Sequence, residues 1–340
     1  MKQLTLIILS LFISFSVLSQ EKSKATVLIS EGVKLHDADK FEDAIAKYKE
    51  ALELEPNNPT ANYEIAYSLL STKKTKEAIT YLNKIIDERA PNAANAYDML
   101  GSVYDNEGNP DKAIETYKLG IKAYPEYQGL HYNLAITYAR TGKNEEALQY
   151  LAKSLQLNPK HASSHRLYGV INMAEPTNKI AALLAYCNFL ILETTSERSS
   201  KAYQDIKTIL NLGATPSEGT KNITITSNKK DPSFDAANLA ISMASFSPGI
   251  ANLSEADQLE LQLKTILGIV GELSEKKKDK DFFWTFYADY FYKLSKSEYM
   301  PLIARIVSFT SNQEEKKKWI KEHEKMLTDY SVWESATPHN

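Results

Sequence analysis

Five small residues recur down the first half of the sequence, Gly32, Ala66, Gly101, Ala135 and Gly169, at intervals of 34, 35, 34 and 34 residues. A second ladder, Ala44, Ala78, Ala113, Ala147 and Ala181, keeps the same phase, and Pro56, Pro91, Pro125 and Pro159 close four of the repeats. A period of this length constrains the architecture before any other property is considered, because each repeat can bury its apolar face only by stacking on its neighbours. Two antiparallel helices approach closely where a small residue faces the partner. A proline ends the second helix because it cannot continue one. Large apolar residues at intervals of three, four and seven fill the other contact positions: Leu100, Tyr104, Ile114, Tyr117 and Ile121 in the third repeat, and Leu134, Tyr138, Leu148, Leu151 and Leu155 in the fourth.

The pattern Leu100-Gly101-x-x-Tyr104, then Ala113-x-x-x-Tyr117, then Pro125 resembles the tetratricopeptide repeat family, and Leu134-Ala135, Tyr138, Ala147 and Pro159 repeat it. The family's early tryptophan is absent; its place is held by Leu28, Asn62, Tyr97, His131 and His165. The resemblance covers residues 25–193, with repeats starting near 25, 59, 94, 128 and 162. It implies an all-α fold, a right-handed solenoid of helix pairs whose concave groove is lined by the first helix of each pair. It also implies a protein or peptide as the partner. Carried across residue by residue, the inward positions are Tyr63 and Tyr67, then Asn95, Asp98, Ser102, Asp105 and Asn106, then Tyr132 and Arg140, and finally Arg166. That is an aromatic end, an acidic middle and a basic far side. The family's carboxylate clamp is not reproduced, since Ile29 and Val33 stand where it needs a lysine and an asparagine.

The fifth repeat lacks the closing proline, and its second helix, 180–192, is apolar at every position except Asn188. A helix apolar on all sides must be covered on all sides. The next segment, 194–212, offers Ala202, Tyr203, Ile206, Ile209 and Leu210 on one face as part of that cover. Residues 213–232 read as a loop or linker with a possible short strand at 222–226. Residues 233–340 read as a separate all-helical domain docked on the solenoid, with helices near 233–246, 255–273, 281–295, 298–309 and 312–328.

At the other end, Lys2 precedes an apolar stretch from Leu4 to Leu18 that is too short for an ordinary membrane span, and Val17 and Ser19 supply the small residues of a cleavage site. Residues 1–19 are therefore expected to be a secretory signal and the mature protein to be periplasmic or secreted, with no stable span after its removal. With 40 basic and 43 acidic side chains the chain has no basic excess for nucleic acid. Its lysine runs, 276–278 and 316–318, are flanked by acids and read as solvated faces.

Candidate chemistry is sparse. Cys187, the one cysteine, sits in an apolar run and reads as an inert buried thiol. His161 and His165 share a helical face but lack further ligands for a metal. His323-Glu324 fails the zinc motif at its second histidine, and Ser71-x-x-Lys74 lacks the companion motifs of penicillin-recognising enzymes. The aromatic segment Phe282 to Tyr287, continuing to Tyr292, reads as a core helix. The alternative is a carbohydrate- or peptidoglycan-binding module with Trp284 exposed for stacking. The expectation is a non-enzymatic scaffold without metal or cofactor.

Overall fold

The computed structural model describes residues 24–211, 231–245, 250–337 and 339. The proposed signal, the possible strand at 222–226 and most of the 213–232 segment lie outside these residues. Among the described residues there are helices and no strands. They fall into two compact bodies that divide between Thr141 and Gly142.

The N-terminal body comprises α1 (24–37), α2 (Phe41–Leu54), α3 (Pro59–Ser71), α4 (Thr75–Asp87), α5 (Ala93–Asn106), α6 (Pro110–Ala123) and α7 (Gln128–Arg140). Consecutive helices from α2 onward pack on one another, and α5 also touches α7, so the first helices of the third and fourth repeats lie side by side. Asn58 caps α3 through the Ala61 amide and Asn109 caps α6 through the Lys112 amide, each followed by proline at the first helical position. The first helix of a hairpin ends in a left-handed residue, seven positions after the small one: Asp39, Lys73 and Gly108, with φ of 58°, 61° and 76°. The next amide then bonds back to the last turn, Lys40 to Leu35, Lys74 to Leu69 and Asn109 to Tyr104.

The small ladder has a specific partner. A methyl group on Gly32 would stand 2.4 Å from the Tyr48 ring, and one on Gly101 would stand 2.4 Å from the Tyr117 ring. Sixteen residues separate each pair. Where the small residue is alanine, Ala66 or Ala135, the position sixteen further on is leucine, Leu82 or Leu151, and all four are fully buried. Glycine therefore goes with a ring and alanine with a branched chain, which keeps the filled volume similar. Ile121 and Leu148 are only half-buried, at the edge of the predicted core.

The C-terminal body holds α8 (Asn144–Leu157), α9 (Ala162–Ala174), a 3-10 turn (Pro176–Asn178), α10 (Lys179–Leu192), α11 (Glu197–Asn211), α12 (Ser233–Ser245), α13 (Glu255–Lys276), a π-helical turn (Phe283–Ala288), α14 (Asp289–Ser295), α15 (Met300–Val307), α16 (Gln313–Glu322) and α17 (Glu324–Ala336). The expected helix 312–328 is thus two helices broken at His323. The fifth repeat departs from the ladder for a backbone reason. Pro176 occupies the place of the left-handed turn residue, and its ring holds φ negative. The 3-10 turn replaces that turn, and α10 starts one residue late. Gly169 then faces Tyr186, seventeen residues on, with the ring 2.7 Å from an added methyl. The ladder position accordingly passes from Ala181 to Ala182.

Residues 180–190 of α10 are all buried, Cys187 among them, with its thiol raised by burial. The cover comes from α9, α11, α12, α15 and the π turn. His165 joins two of these segments. Its Nε2 lies 2.8 Å from the Pro159 carbonyl oxygen, which can only accept, so Nδ1 accepts from the Tyr287 hydroxyl at 2.8 Å. Burial pushes His165 down to about 3. The π turn widens the aromatic helix so that Trp284 and Phe291 are buried as well as the expected face of Phe283, Phe286, Tyr287, Tyr290 and Leu294. One lysine of each run departs from the solvated reading, while Lys276, Lys278, Lys317 and Lys318 are exposed as expected: Lys277 bonds both Asp231 oxygens at 3.1 Å, and Lys316 is 2% exposed with its ammonium on Ser311. Each ammonium finds oxygen partners at the end of a chain long enough to reach them, and the methylene stem is buried on the way.

Candidate functional site

The candidate inward residues of the N-terminal body stand on three first helices. Tyr63 and Tyr67 are on α3; Asn95, Asp98, Ser102, Asp105 and Asn106 are on α5; Tyr132 and Arg140 are on α7. Repeat phase decides which of them meet. Asn133 donates to Asp98 at 2.7 Å, and Arg140 pairs with Asp105, each across 35 residues from α7 to α5. The predicted basic side and part of the acidic middle therefore neutralise each other. Ser102 shares a hydrogen bond with the Tyr117 hydroxyl at 3.0 Å, inside its own hairpin. Tyr67 is 48% exposed and stacks on His36, whose Nδ1 lies 2.7 Å from Ser68 Oγ.

Of the two candidate carboxylates on α5, Asp98 is the one without a cation among the described residues. Burial raises its carboxyl above the usual value, opposed by the Asn133 bond. Around it are Tyr63, pushed up to about 12 by burial with contributions from Tyr127 and Asp98, and Tyr127, raised by burial and by Asp98. A methyl on Gly129 would lie 2.9 Å from the Tyr127 ring and 3.2 Å from an Asp98 oxygen, so glycine there leaves the carboxylate its space. Asn106 is exposed at the end of α5, while Asn95 and Tyr132 are half-buried. Glu64, raised by burial and opposed by His36, adds a second carboxyl on α3.

Sequence reasoning missed Tyr127, Asn133, Glu64 and His36. Asn133 was legible, since it lies one repeat interval from Asp98. Tyr127 was not, because it precedes α7 and belongs to no helical position.

Arg166 stands apart on α9 in the C-terminal body, at the wall of a cavity of ≈ 400 Å³. The histidine pair forms no metal site. His161 Nδ1 meets Ser164 Oγ at 2.7 Å, and both nitrogens of His165 are engaged within the fold. His131 repeats the bond, with Nε2 2.8 Å from the Pro125 carbonyl oxygen. Trp284 is 0% exposed and donates to Asp231 at 2.8 Å, so the stacking platform required by a sugar-binding reading is absent at that residue.

The family described as tetratricopeptide repeat matches residues 35–102 and 106–171. The TPR repeat-containing protein YpiA of Bacillus subtilis (strain 168) is 31% identical over 146 residues, 42% of this chain and 34% of that protein. The protein O-mannosyl-transferase TMTC1 of Homo sapiens is 33% identical over 149 residues, 43% of this chain and 17% of that protein. The chain therefore spans about a third of the first relative's length and under a fifth of the second's. A solved structure described as the functional characterization of Pseudomonas aeruginosa pilF has a TM-score of 0.49 at 17% identity, covering 68% of this chain and 95% of that one. The phased ladder, the hairpins it builds and the family match agree: residues 35–102 and 106–171 are tetratricopeptide repeats.

Proposed function

We propose that the chain is an exported scaffold that holds a segment of a partner protein against the first helices of its repeats, and that it performs no chemistry of its own. The observation that carries this reading is Asp98. It is a carboxylate kept partly out of water, with a neutral amide as its bonded partner and tyrosines around it. Such a group weakens the fold, and sites of this kind accord with binding more than with stability. Tyr67 adds exposed aromatic area on the same helix as Tyr63, and aromatic anchors dominate binding energy.

Export is proposed from the apolar stretch 4–18 alone. Sequencing the N-terminus of the protein purified from its native cells tests it: a start at Gln20 supports export, and a retained Met1 in a cytosolic fraction contradicts it. The binding surface is tested by replacing Tyr63, Tyr67 and Asp98 together with alanine and repeating capture from envelope extracts. Loss of the captured partners is expected; unchanged partners would remove the assignment.

A further inference from the structure

The cavity of ≈ 400 Å³ in the C-terminal body is walled by α9, α10 and α11. Two of its three cations are already satisfied by carboxylates. Arg198 bonds both oxygens of Glu193 and reaches Ser163 Oγ at 3.0 Å, and Lys201 pairs with Asp205 at 2.7 Å. Arg166 differs from both. Of the described residues of this body, its Nε is the one buried side-chain polar atom without a hydrogen-bond partner. Glu193 acts on it only at a distance, as does the Tyr186 hydroxyl, which is held closer to Asp205.

A half-buried guanidinium is costly to leave unpartnered, and its planar fork matches a carboxylate. Arg198 against Glu193 and Lys201 against Asp205 cancel, so the cavity carries one uncompensated positive charge. That suits a single carboxylate better than a phosphate dianion. Val170, 42% exposed, and Met173 add an apolar wall beside the charge, where the aliphatic part of an amino-acid residue would lie.

We infer that the Arg166 cavity is a binding site for one carboxylate presented by a peptide segment of the partner, with aliphatic atoms next to it against Val170 and Met173. This deepens the scaffold reading and rests on it. The residues differ from those of the family's clamp, whose positions here are Ile29 and Val33.

The test is selection of displayed random heptapeptides on the immobilised full chain, on Arg166→Met and on the Tyr63/Tyr67/Asp98 triple-alanine variant. Peptides enriched by the parent chain are expected to be rich in Asp and Glu, and that enrichment is expected to vanish with Arg166→Met. The best acidic peptide should bind Arg166→Met about tenfold or more weakly, the scale of a charge-assisted hydrogen bond. Synthesis of that peptide with Glu→Gln, or with an amidated end, shows whether the carboxylate is a side chain or a terminus; either source supports the site. Enriched peptides that lack acids, or that keep their affinity for Arg166→Met, overturn it while leaving the scaffold reading intact if the triple variant loses them. Failure of the parent chain to enrich any peptide removes both. Arg166→Met should melt at or above the parent temperature, since no hydrogen bond is lost. A marked drop would make Arg166 a structural residue and overturn the site.

Discussion

Gly101 lies so close to the Tyr117 ring that an alanine methyl would stand 2.4 Å from it. Gly101→Ala should cost about 1–3 kcal/mol by overpacking. Adding Tyr117→Leu should recover much of the loss, because Ala66 with Leu82, the same sixteen residues apart, already uses that combination. Denaturant titration of the single and double variants checks this, and an additive double variant would contradict the pairing. Lys73 poses the opposite problem, a residue with a β-carbon at φ 61° where the same turn elsewhere uses Gly108. Lys73→Gly should gain about 0.5–1 kcal/mol, read from the same titration. Asp98 is held above the usual carboxylate value, so the folded state binds its proton more readily than the unfolded chain does. Its cost is therefore present at neutral pH and fades as pH falls through the folded value towards the ordinary one. Asp98→Asn should raise stability at pH 7 and lose that advantage in acid.

The hairpins were legible because their signals are local: a small residue, an alanine twelve positions later, a proline at the close. The fifth repeat shows where such reading stops. Gly169 keeps the phase, yet Pro176 forbids the left-handed turn and slides α10 by one residue, so the partner is Tyr186. A count of intervals cannot see a change of turn type. The π turn was hidden in the same way, since Phe283, Phe286, Tyr287 and Tyr290 fit an α-helical face as well. Its consequence is Tyr287 against His165. His165 stays neutral in the fold, with its value lowered to about 3, so its contribution is complete above the ordinary histidine value and is lost as pH falls below it. His339, lowered to about 4 by burial, adds in the same direction. The C-terminal body should lose about 1.4 kcal/mol per pH unit for each such histidine between the ordinary and the folded value. All three tryptophans, Trp284, Trp319 and Trp333, lie in this body, so their fluorescence during denaturation reports it alone. His165→Gln should be less stable at pH 7 and show a flatter acid limb.

For the molecule as a whole, the repeat ladder pointed to tetratricopeptide hairpins, but the character of their surface depended on contacts that sequence does not display. Asp105 and Arg140 looked like opposite poles and are an ion pair. Trp284, in a segment read as a core helix with an exposed platform as the alternative, is a fully buried donor to Asp231. Asp98 kept its interest because its one repeat-phase partner, Asn133, is neutral. The central claim is that a partner segment lies on the first helices of the repeats. A photoreactive amino acid placed at Tyr67, exposed on α3, and separately at Leu119, 51% exposed on the second helix α6, tests it in the native host. A defined crosslinked partner is expected from position 67 and none from position 119. The same partner captured from position 119, with nothing from position 67, would contradict it.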